Sequence, residues 1–120
     1  MPRDYRKLKV FEMADDLVIK VYEATRSFPR DELFGLTSQM RRAAVSVPAN
    51  IVEGSFRRTE SEYANFLNIA LGSLAEVGYY IQLAHRLGYL TDDAHSELLG
   101  AFEPCIRSLN ALVSRFRPPS

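Results

Sequence analysis

The spacing of apolar residues constrains this chain most: in four separate segments it alternates between steps of three and four. Residues three or four apart lie on one face of an α-helix, so each segment predicts a helix with one apolar face. No segment shows the strict alternation that a half-buried strand would need. The sequence therefore predicts an all-α protein built from four amphipathic helices.

The limits of these helices are marked by residues that favour helix starts. Thr59 and Glu62 have the spacing of a capping box, and Thr91 precedes two acids that suit the positive end of a helix. The predicted helices cover about residues 8–27, 36–57, 60–87 and 92–116. The predicted core stripes are Phe11, Ala14, Val18, Val21, Thr25 and Phe28 in the first segment, Leu36, Met40, Ala43, Val47 and Ile51 in the second, Tyr63, Leu67, Ala70, Leu74, Val77, Ile81 and Ala84 in the third, and Leu98, Phe102, Cys105, Leu109, Leu112 and Phe116 in the fourth.

Two prolines fall inside the predicted helices. Pro48 lies in the second and Pro104 in the fourth, and each removes a backbone donor and crowds the preceding turn. The apolar stripe keeps its phase across Pro48, so we expect both helices to be kinked rather than divided. Short connections then predict a single domain, residues 1–120, folded as an antiparallel up-down-up-down four-helix bundle.

Composition excludes several classes of protein. The 120 residues include 15 Lys plus Arg and 15 Asp plus Glu, and 47% are hydrophobic, as in an ordinary globular domain. No apolar stretch reaches the roughly 18 to 20 residues of a membrane span, and no signal-peptide apolar region is present. We expect a cytoplasmic protein without membrane contact. The single Cys105 excludes an internal disulfide.

The third helix has more apolar surface than one face requires. A second stripe, rotated from the first, consists of Phe66, Ile69, Ser73, Tyr80, Leu83 and Leu87. It fits either a central helix that touches two neighbours or a helix that contributes to a subunit interface. Gly72 and Gly78 favour close contact with another backbone, within a chain or between chains.

The second helix has a polar seam, which consists of Gln39, Arg42, Ser46, Asn50, Glu53 and Arg57. A solvated helix face is one interpretation. Serine and asparagine are poor helix formers, however, and their short side chains suit local hydrogen bonds. The other interpretation is therefore that Ser46, Asn50 and Glu53 form a hydrogen-bonded network, within or between subunits. The sequence leaves open whether the seam is buried or solvated.

The formal net charge of zero conceals segregation along the chain. Residues 1–10 and 39–58 each hold four bases and one acid, and residues 104–120 hold three bases and no acid. Arginine suits phosphate because its planar fork donates two hydrogen bonds. The candidate contacts are Arg42 and Arg57, followed by Arg41, Arg58, Lys7 and Lys9. For Arg41 and Arg58 the competing interpretation is a salt bridge to an acid inside the bundle.

Catalytic chemistry is poorly represented. Asp92 and His95 have a helical metal-ligand spacing, but a di-iron bundle needs two Glu-x-x-His motifs and two more carboxylates. No base is recognisable near the serines or Cys105, and glycine-rich phosphate loops are absent. The sequence predicts no enzyme, no catalytic residue, no metal and no cofactor. A metalloenzyme built on Asp92 and His95 is a third alternative, and it requires stoichiometric metal.

Three stretches carry a family resemblance: residues 46–54 (SVPANIVEG), 66–76 (FLNIALGSLAE) and 87–90 (LGYL). With them the chain resembles the four-helix-bundle proteins encoded in intervening sequences of bacterial 23S rRNA genes. That group includes the accessory variability determinant of diversity-generating retroelements. The matching motif positions are Ser46, Pro48, Asn50, Glu53, Gly54, Gly72, Ser73 and Glu76. Phe11-Glu12 and Val77-Gly78-Tyr79 depart from the usual pattern.

The resemblance implies an antiparallel bundle that assembles into a homopentameric ring or barrel, without known enzymatic activity. For the retroelement branch it also implies binding to nucleic acid and to a reverse transcriptase through basic surfaces. Our leading hypothesis is a non-catalytic oligomer that binds RNA or an RNA–DNA hybrid. The alternative is a protein–protein interaction scaffold that binds no nucleic acid.

Overall fold

The computed structural model describes residues 3–116, which form four α-helices and two short 3₁₀ helices. The α-helices are α1 (Lys9–Thr25), α2 (Leu36–Ser55), α3 (Glu60–Arg86) and α4 (Asp92–Ser114). The 3₁₀ helices, Tyr5–Lys7 and Arg30–Glu32, precede α1 and α2. The ends of the α-helices lie within two residues of the predicted ends. Residues 1–2 and 117–120, and with them part of the basic segment 104–120, lie outside the described residues.

The four helices form a closed bundle. Each helix packs against the next one in the chain, and α1 also packs against α4. The described chain measures 44 × 25 × 25 Å, so the helices run along one long axis. This arrangement confirms the predicted all-α, up-down four-helix bundle. Among α1 to α4, no helix is both long and apolar enough to cross a bilayer.

The core follows the predicted stripes closely in α2 and α3 and less closely in α1. The seven predicted core positions of α3 are all buried: Tyr63, Leu67, Ala70, Leu74, Val77, Ile81 and Ala84. In α1 the buried residues are Val10, Ala14, Leu17, Val21 and Thr25. Phe11 and Val18, which the spacing predicts to be buried, are only half-buried. Adjacent apolar residues at both places let the pattern be read in either phase.

Side-chain caps fix the starts of α3 and α4. The Thr59 hydroxyl accepts a hydrogen bond from the Glu62 amide at 3.1 Å, and Thr91 accepts one from the Ala94 amide at 3.1 Å. Each cap satisfies an amide that has no partner in the first helical turn. Both predicted caps are confirmed. At the other end of α3, Gly88 adopts a φ of 80°, which lets the chain reverse direction into the turn before α4.

Both prolines lie within continuous helices. Pro48 is inside α2 and Pro104 is inside α4, and neither helix is divided at its proline. The prediction that each helix continues through its proline is therefore confirmed. The kink at each proline stays a prediction.

Three glycines of the helices have different surroundings. A Cβ on Gly54 would lie 2.9 Å from the Phe66 Cβ, so α2 and α3 approach closely there. A Cβ on Gly78 would lie 2.5 Å from the tip of the Phe102 ring, so α4 packs on α3 at that point. Gly72, in contrast, is exposed, and a Cβ there would meet nothing within 4 Å. The contact predicted for Gly78 is therefore within the chain, whereas Gly72 faces outward.

Replacing Gly54 by alanine should therefore destabilise the bundle. The added Cβ would collide with an atom that is fixed to the α3 backbone, and overpacking of this kind costs about 1 to 3 kcal/mol. Gly100→Ala in α4 is the matched control, because Gly100 is exposed, an added methyl there meets nothing within 4 Å, and the change should stabilise the helix by up to about 1 kcal/mol. Urea unfolding at equal protein concentration measures both free energies. Equal stability of the two variants would contradict the close approach of α2 and α3.

Candidate nucleic-acid interface

Part of the polar seam forms a hydrogen-bonded network between α2 and α3. The Ser46 and Ser73 hydroxyls lie 2.9 Å apart, and the Asn50 amide donates to the Ser46 carbonyl at 2.7 Å and to its hydroxyl at 2.9 Å. All three side chains are half-buried. The network lies within one chain, and it adds Ser73, which the sequence had placed on the second stripe of α3.

Glu53, the third predicted member of that network, pairs instead with Arg57 one turn further along. The Arg57 Nη2 donates to the Glu53 carboxylate, and the guanidinium lies 4.7 Å from the centroid of the Phe66 ring. Gln39 and Arg42, at the other end of the seam, are exposed. The seam is therefore half-buried in its middle and solvated at its start.

The remaining motif positions are mostly explained by packing. Pro48 and Gly54 are buried in α2, and Gly54 provides the close approach to α3. The exposed Glu76 accepts a hydrogen bond of 3.4 Å from the Tyr80 hydroxyl one turn along α3. Gly72 is the exception, since it faces outward.

An open groove of about 560 Å³ lies beside the first half of α2. We call it the arginine groove. It is lined by Tyr22, Leu33, Phe34, Thr37, Ser38, Arg41, Arg42, Val45 and Ser46. Its only charged lining residues are the two arginines. Phe34, in the turn that leads into α2, is 92% exposed.

Arg41 is held in the groove by α1. Its Nε donates to the Thr25 hydroxyl at 2.8 Å, and that hydroxyl in turn donates to the Val21 carbonyl at 2.8 Å. The guanidinium lies 4.6 Å from the centroid of the Tyr22 ring. The interpretation of Arg41 as the partner of an acid is wrong, because a hydroxyl and an aromatic ring take that place. Among residues 3–116, no carboxylate forms an ion pair with this guanidinium.

Arg42 is exposed beside Arg41. Successive residues on a helix point about 100° apart, so the two guanidiniums approach the groove from different directions. Within residues 3–116, the ion pairs are Arg6 with Asp4, Arg57 with Glu53 and His85 with Asp92, and none includes Arg41 or Arg42.

A second cationic surface lies at the far end of the bundle. We call it the basic end, and it consists of Arg3, Arg6, Lys7, Lys9, Arg57, Arg58 and Arg115, near the start of α1, the end of α2, the start of α3 and the end of α4. Four acids lie at the same end: Asp4, Glu53, Glu60 and Glu62. The Arg3 amide donates to the Ser55 carbonyl at 2.9 Å, and its guanidinium lies 4.0 Å from the centroid of the Tyr63 ring. These contacts join Arg3 to the end of α2 and the start of α3. Lys7, Lys9 and Arg58 are exposed there.

The basic residues predicted from the sequence therefore form two patches within one chain. Arg42 and Arg57 are 15 positions apart, which at 1.5 Å per residue is about 22 Å along α2. Arg41 and Arg42 lie in the arginine groove, whereas Arg57, Arg58, Lys7 and Lys9 lie at the basic end. Of the two leading candidates, Arg42 faces solvent without an ion pair in the described chain, and Arg57 has Glu53 beside it.

The two histidines stack at the turn between α3 and α4. The His85 and His95 ring centroids are 3.8 Å apart, and Asp92 Oδ1 lies 2.8 Å from His85 Nε2. The spacing along the sequence pairs Asp92 with His95. In the structure, however, His95 Nε2 lies 2.9 Å from Gln82 Oε1. In the part of the chain that the structure describes, no three His, Cys, Asp or Glu side chains are grouped so that they could hold a metal ion.

Two relevant features escaped the sequence analysis. Phe34 and Tyr22 were not singled out, because Phe34 lies in a turn, outside the helical stripes, and Tyr22 lies off the stripe of α1. Isolated exposed aromatic residues give no periodic signal. The sequence signal that points to this region is the neighbouring pair Arg41-Arg42.

The sequence matches a protein-family model, and the fold matches a solved structure. The family model of the 23S rRNA-intervening sequence protein matches residues 6–111. A crystal structure of a protein with unknown function from the S23 ribosomal protein family of Bacteroides thetaiotaomicron VPI-5482 is similar, with a TM-score of 0.80. It shares 21% sequence identity, and the match covers 88% of this chain and 95% of that one. At that identity the likeness concerns the fold. No curated protein matches the chain.

Cys105 should resist alkylation in the folded protein. Its side chain is fully buried in α4, and burial raises the pKa of the thiol to about 11. At pH 8 roughly one thiol in a thousand would then be the reactive thiolate. Mass spectrometry after iodoacetamide treatment should detect little adduct on the native protein and full modification in urea. Rapid modification of the native protein would contradict the burial of this residue.

Proposed function

The chain belongs to the 23S rRNA-intervening sequence protein family, and from this premise we propose that it is a non-catalytic, oligomeric bundle that binds nucleic acid. RNA or an RNA–DNA hybrid is the proposed ligand. The observation that carries the proposal is the arginine groove, whose two charged side chains are both cationic and have no ion-pair partner in residues 3–116.

The geometry of Arg41 suits a phosphate. Thr25 accepts the hydrogen bond from its Nε, which leaves the two terminal nitrogens of the guanidinium to face a ligand. An arginine fork donates paired hydrogen bonds to phosphate oxygens, and less entropy is lost when the fork is already oriented. Arg42 adds a second charge next to it. These arguments support phosphate binding more strongly for Arg41 and Arg42 than for Arg57, which Glu53 partly neutralises.

The basic end offers a second contact. It lies about 22 Å from Arg42 along α2, which corresponds to about six nucleotides of one strand at 3.4 Å each. One strand lying along the bundle could therefore reach both surfaces. Lys7, Lys9 and Arg58 are the residues there that we expect to contact phosphate.

We also propose that the protein is a homo-oligomer, and a pentamer is the form that the sequence resemblance implies. The second stripe of α3 supports self-association, because Ile69 and Leu87 stay 45% and 49% exposed after the bundle closes. Gly72 lies on the same helix with open space above it, so another backbone could approach closely. A reverse-transcriptase partner stays a prediction of the retroelement resemblance alone.

A protein–protein scaffold is the second candidate function. It is favoured by the exposed apolar side chains outside α3, of which Phe34 and Phe56 expose the largest fractions. Phe34 forms a contiguous apolar patch with Leu33 and Val45, and such patches commonly mark association sites. Under this alternative the arginines are dispensable for partner capture.

Arg42→Glu should weaken nucleic-acid binding and reduce its salt dependence. Each phosphate contact contributes about 0.9 unit to the log–log salt slope on duplex DNA, so the loss of one contact should be visible. Fluorescence anisotropy at several salt concentrations measures both affinity and slope. Arg107→Glu on α4 is the matched control, since it makes the same charge change at an exposed arginine outside both surfaces. A combined Lys7→Glu and Arg58→Glu variant tests the basic end.

Three results decide between the candidate functions. Weakening by Arg42→Glu, with Arg107→Glu unaffected, supports nucleic-acid binding through the groove. Absence of any salt-sensitive binding to RNA, DNA or a hybrid by the unaltered protein would defeat the proposal. Capture of a protein partner that survives all these charge reversals would favour the scaffold.

Ile69→Glu should disrupt the oligomer. A charge placed on the second stripe of α3 would be buried without a partner in a subunit interface, which costs several kcal/mol. Ile19→Glu on α1 is the matched control, because Ile19 is 54% exposed. Light scattering gives the mass of each variant. If only Ile19→Glu dissociates the oligomer, the subunit interface lies on α1 and not on α3. If the unaltered protein is a monomer, the proposed oligomer is excluded.

A further inference from the structure

Phe34 is the most exposed large apolar side chain of the described residues. Leu33 and Val45 beside it are exposed by 51% and 41%, so the rim of the arginine groove is apolar. A phenyl ring held in water contributes little to the stability of the fold. A contiguous patch of this kind indicates a binding surface.

The turn that carries Phe34 is firmly anchored. The Glu32 carboxylate accepts hydrogen bonds from the Leu36 amide at 3.1 Å and from the Tyr89 hydroxyl at 2.8 Å. These two bonds hold the pKa of Glu32 below its usual value. The Gly35 amide also donates to the Glu32 carbonyl, at 2.9 Å. Phe34 thus projects from a backbone that is fixed on both sides, which suits a preformed binding platform.

Cations lie directly beside this apolar rim. Arg41 is oriented by Thr25 and Tyr22, and Arg42 is exposed on the next position of α2. An apolar protein partner seated here would bury two positive charges without a counter-charge, which is unfavourable. A nucleotide offers an aromatic base and an anionic phosphate together. Aromatic platforms beside a positive groove are typical of surfaces that bind unpaired nucleic acid.

From this arrangement we infer that the arginine groove binds unpaired nucleotides, with a base stacked on Phe34 and phosphates on Arg41 and Arg42. The inference rests on the proposed nucleic-acid binding and specifies which form of nucleic acid the groove accepts. A fully paired duplex keeps its bases stacked inside the helix, where Phe34 cannot reach their faces. Single strands, or the loops and bulges of a structured RNA, expose them.

A tryptophan at position 34 provides a direct test, because the chain contains no tryptophan. The Phe34→Trp variant keeps the stacking surface and reports on it by fluorescence. A single-stranded RNA oligonucleotide should quench this fluorescence, and the same RNA annealed to its complement should not. Tyr79→Trp is the control: Tyr79 is 61% exposed on α3, outside the groove, and a tryptophan there should respond to neither RNA.

Affinity measurements separate stacking from charge. Phe34→Ala should weaken single-stranded RNA binding by roughly 5- to 150-fold, the effect of losing one base–aromatic stack, and leave the salt slope unchanged. Arg42→Ala should lower that slope by about 0.7. Tyr79→Ala should change neither quantity. Because Phe34 is so exposed, its replacement leaves the core intact, and circular dichroism verifies this.

The outcomes separate this inference from the proposed function. If Phe34→Ala binds single-stranded RNA as tightly as the unaltered protein while Arg42→Glu binds weakly, the inference is overturned and nucleic-acid binding stands. If the unaltered protein binds no nucleic acid, both fail. If Phe34→Ala changes the mass measured by light scattering, the groove is a contact between subunits, and the inference is overturned.

Discussion

The packing of α2 against α3 determines most of what this molecule presents to solvent. Gly54 allows the two backbones to approach, and the Ser46–Ser73 hydroxyl contact lies along the same interface. Together they fix the rotation of α2 about its own axis as well as its distance from α3. With that rotation fixed, Met40 and Val47 enter the core, and Arg42 faces outward. The cationic character of the groove is thus a consequence of packing on the opposite side of the helix.

Sequence periodicity predicted this architecture well where a stripe kept its spacing over many turns. In α3 the first of the two apolar stripes does so over seven positions, and all seven are buried. In α1, Val10-Phe11 and Leu17-Val18 are pairs of adjacent apolar residues, so two phases fitted equally. The choice between them depends on the neighbouring helices, which a local pattern does not describe. Helix ends were predicted closely because the caps act through residues only three positions apart.

The partners of the charged side chains were less predictable. Arg41 was weighed as the partner of an acid, but it contacts Thr25, 16 positions earlier in the chain. Asp92 was matched with His95 by spacing along a helix, but it contacts His85 across the turn. Both contacts join different helices, and their geometry exists only after the bundle has assembled. The exposure of Phe34 was not predicted for a related reason. It depends on the path of a turn, and turns have no periodic sequence pattern.

The carboxylate of Glu32 has a consequence for how this fold can vary. One oxygen caps the start of α2 through Leu36, and the other receives the hydroxyl of Tyr89 from the connection between α3 and α4. Two connections that are far apart in the chain are thereby tied at one end of the bundle. Lengthening or reshaping either one would loosen the other. Relatives that alter the hairpin between the last two helices should therefore also show altered residues at the entrance to the second.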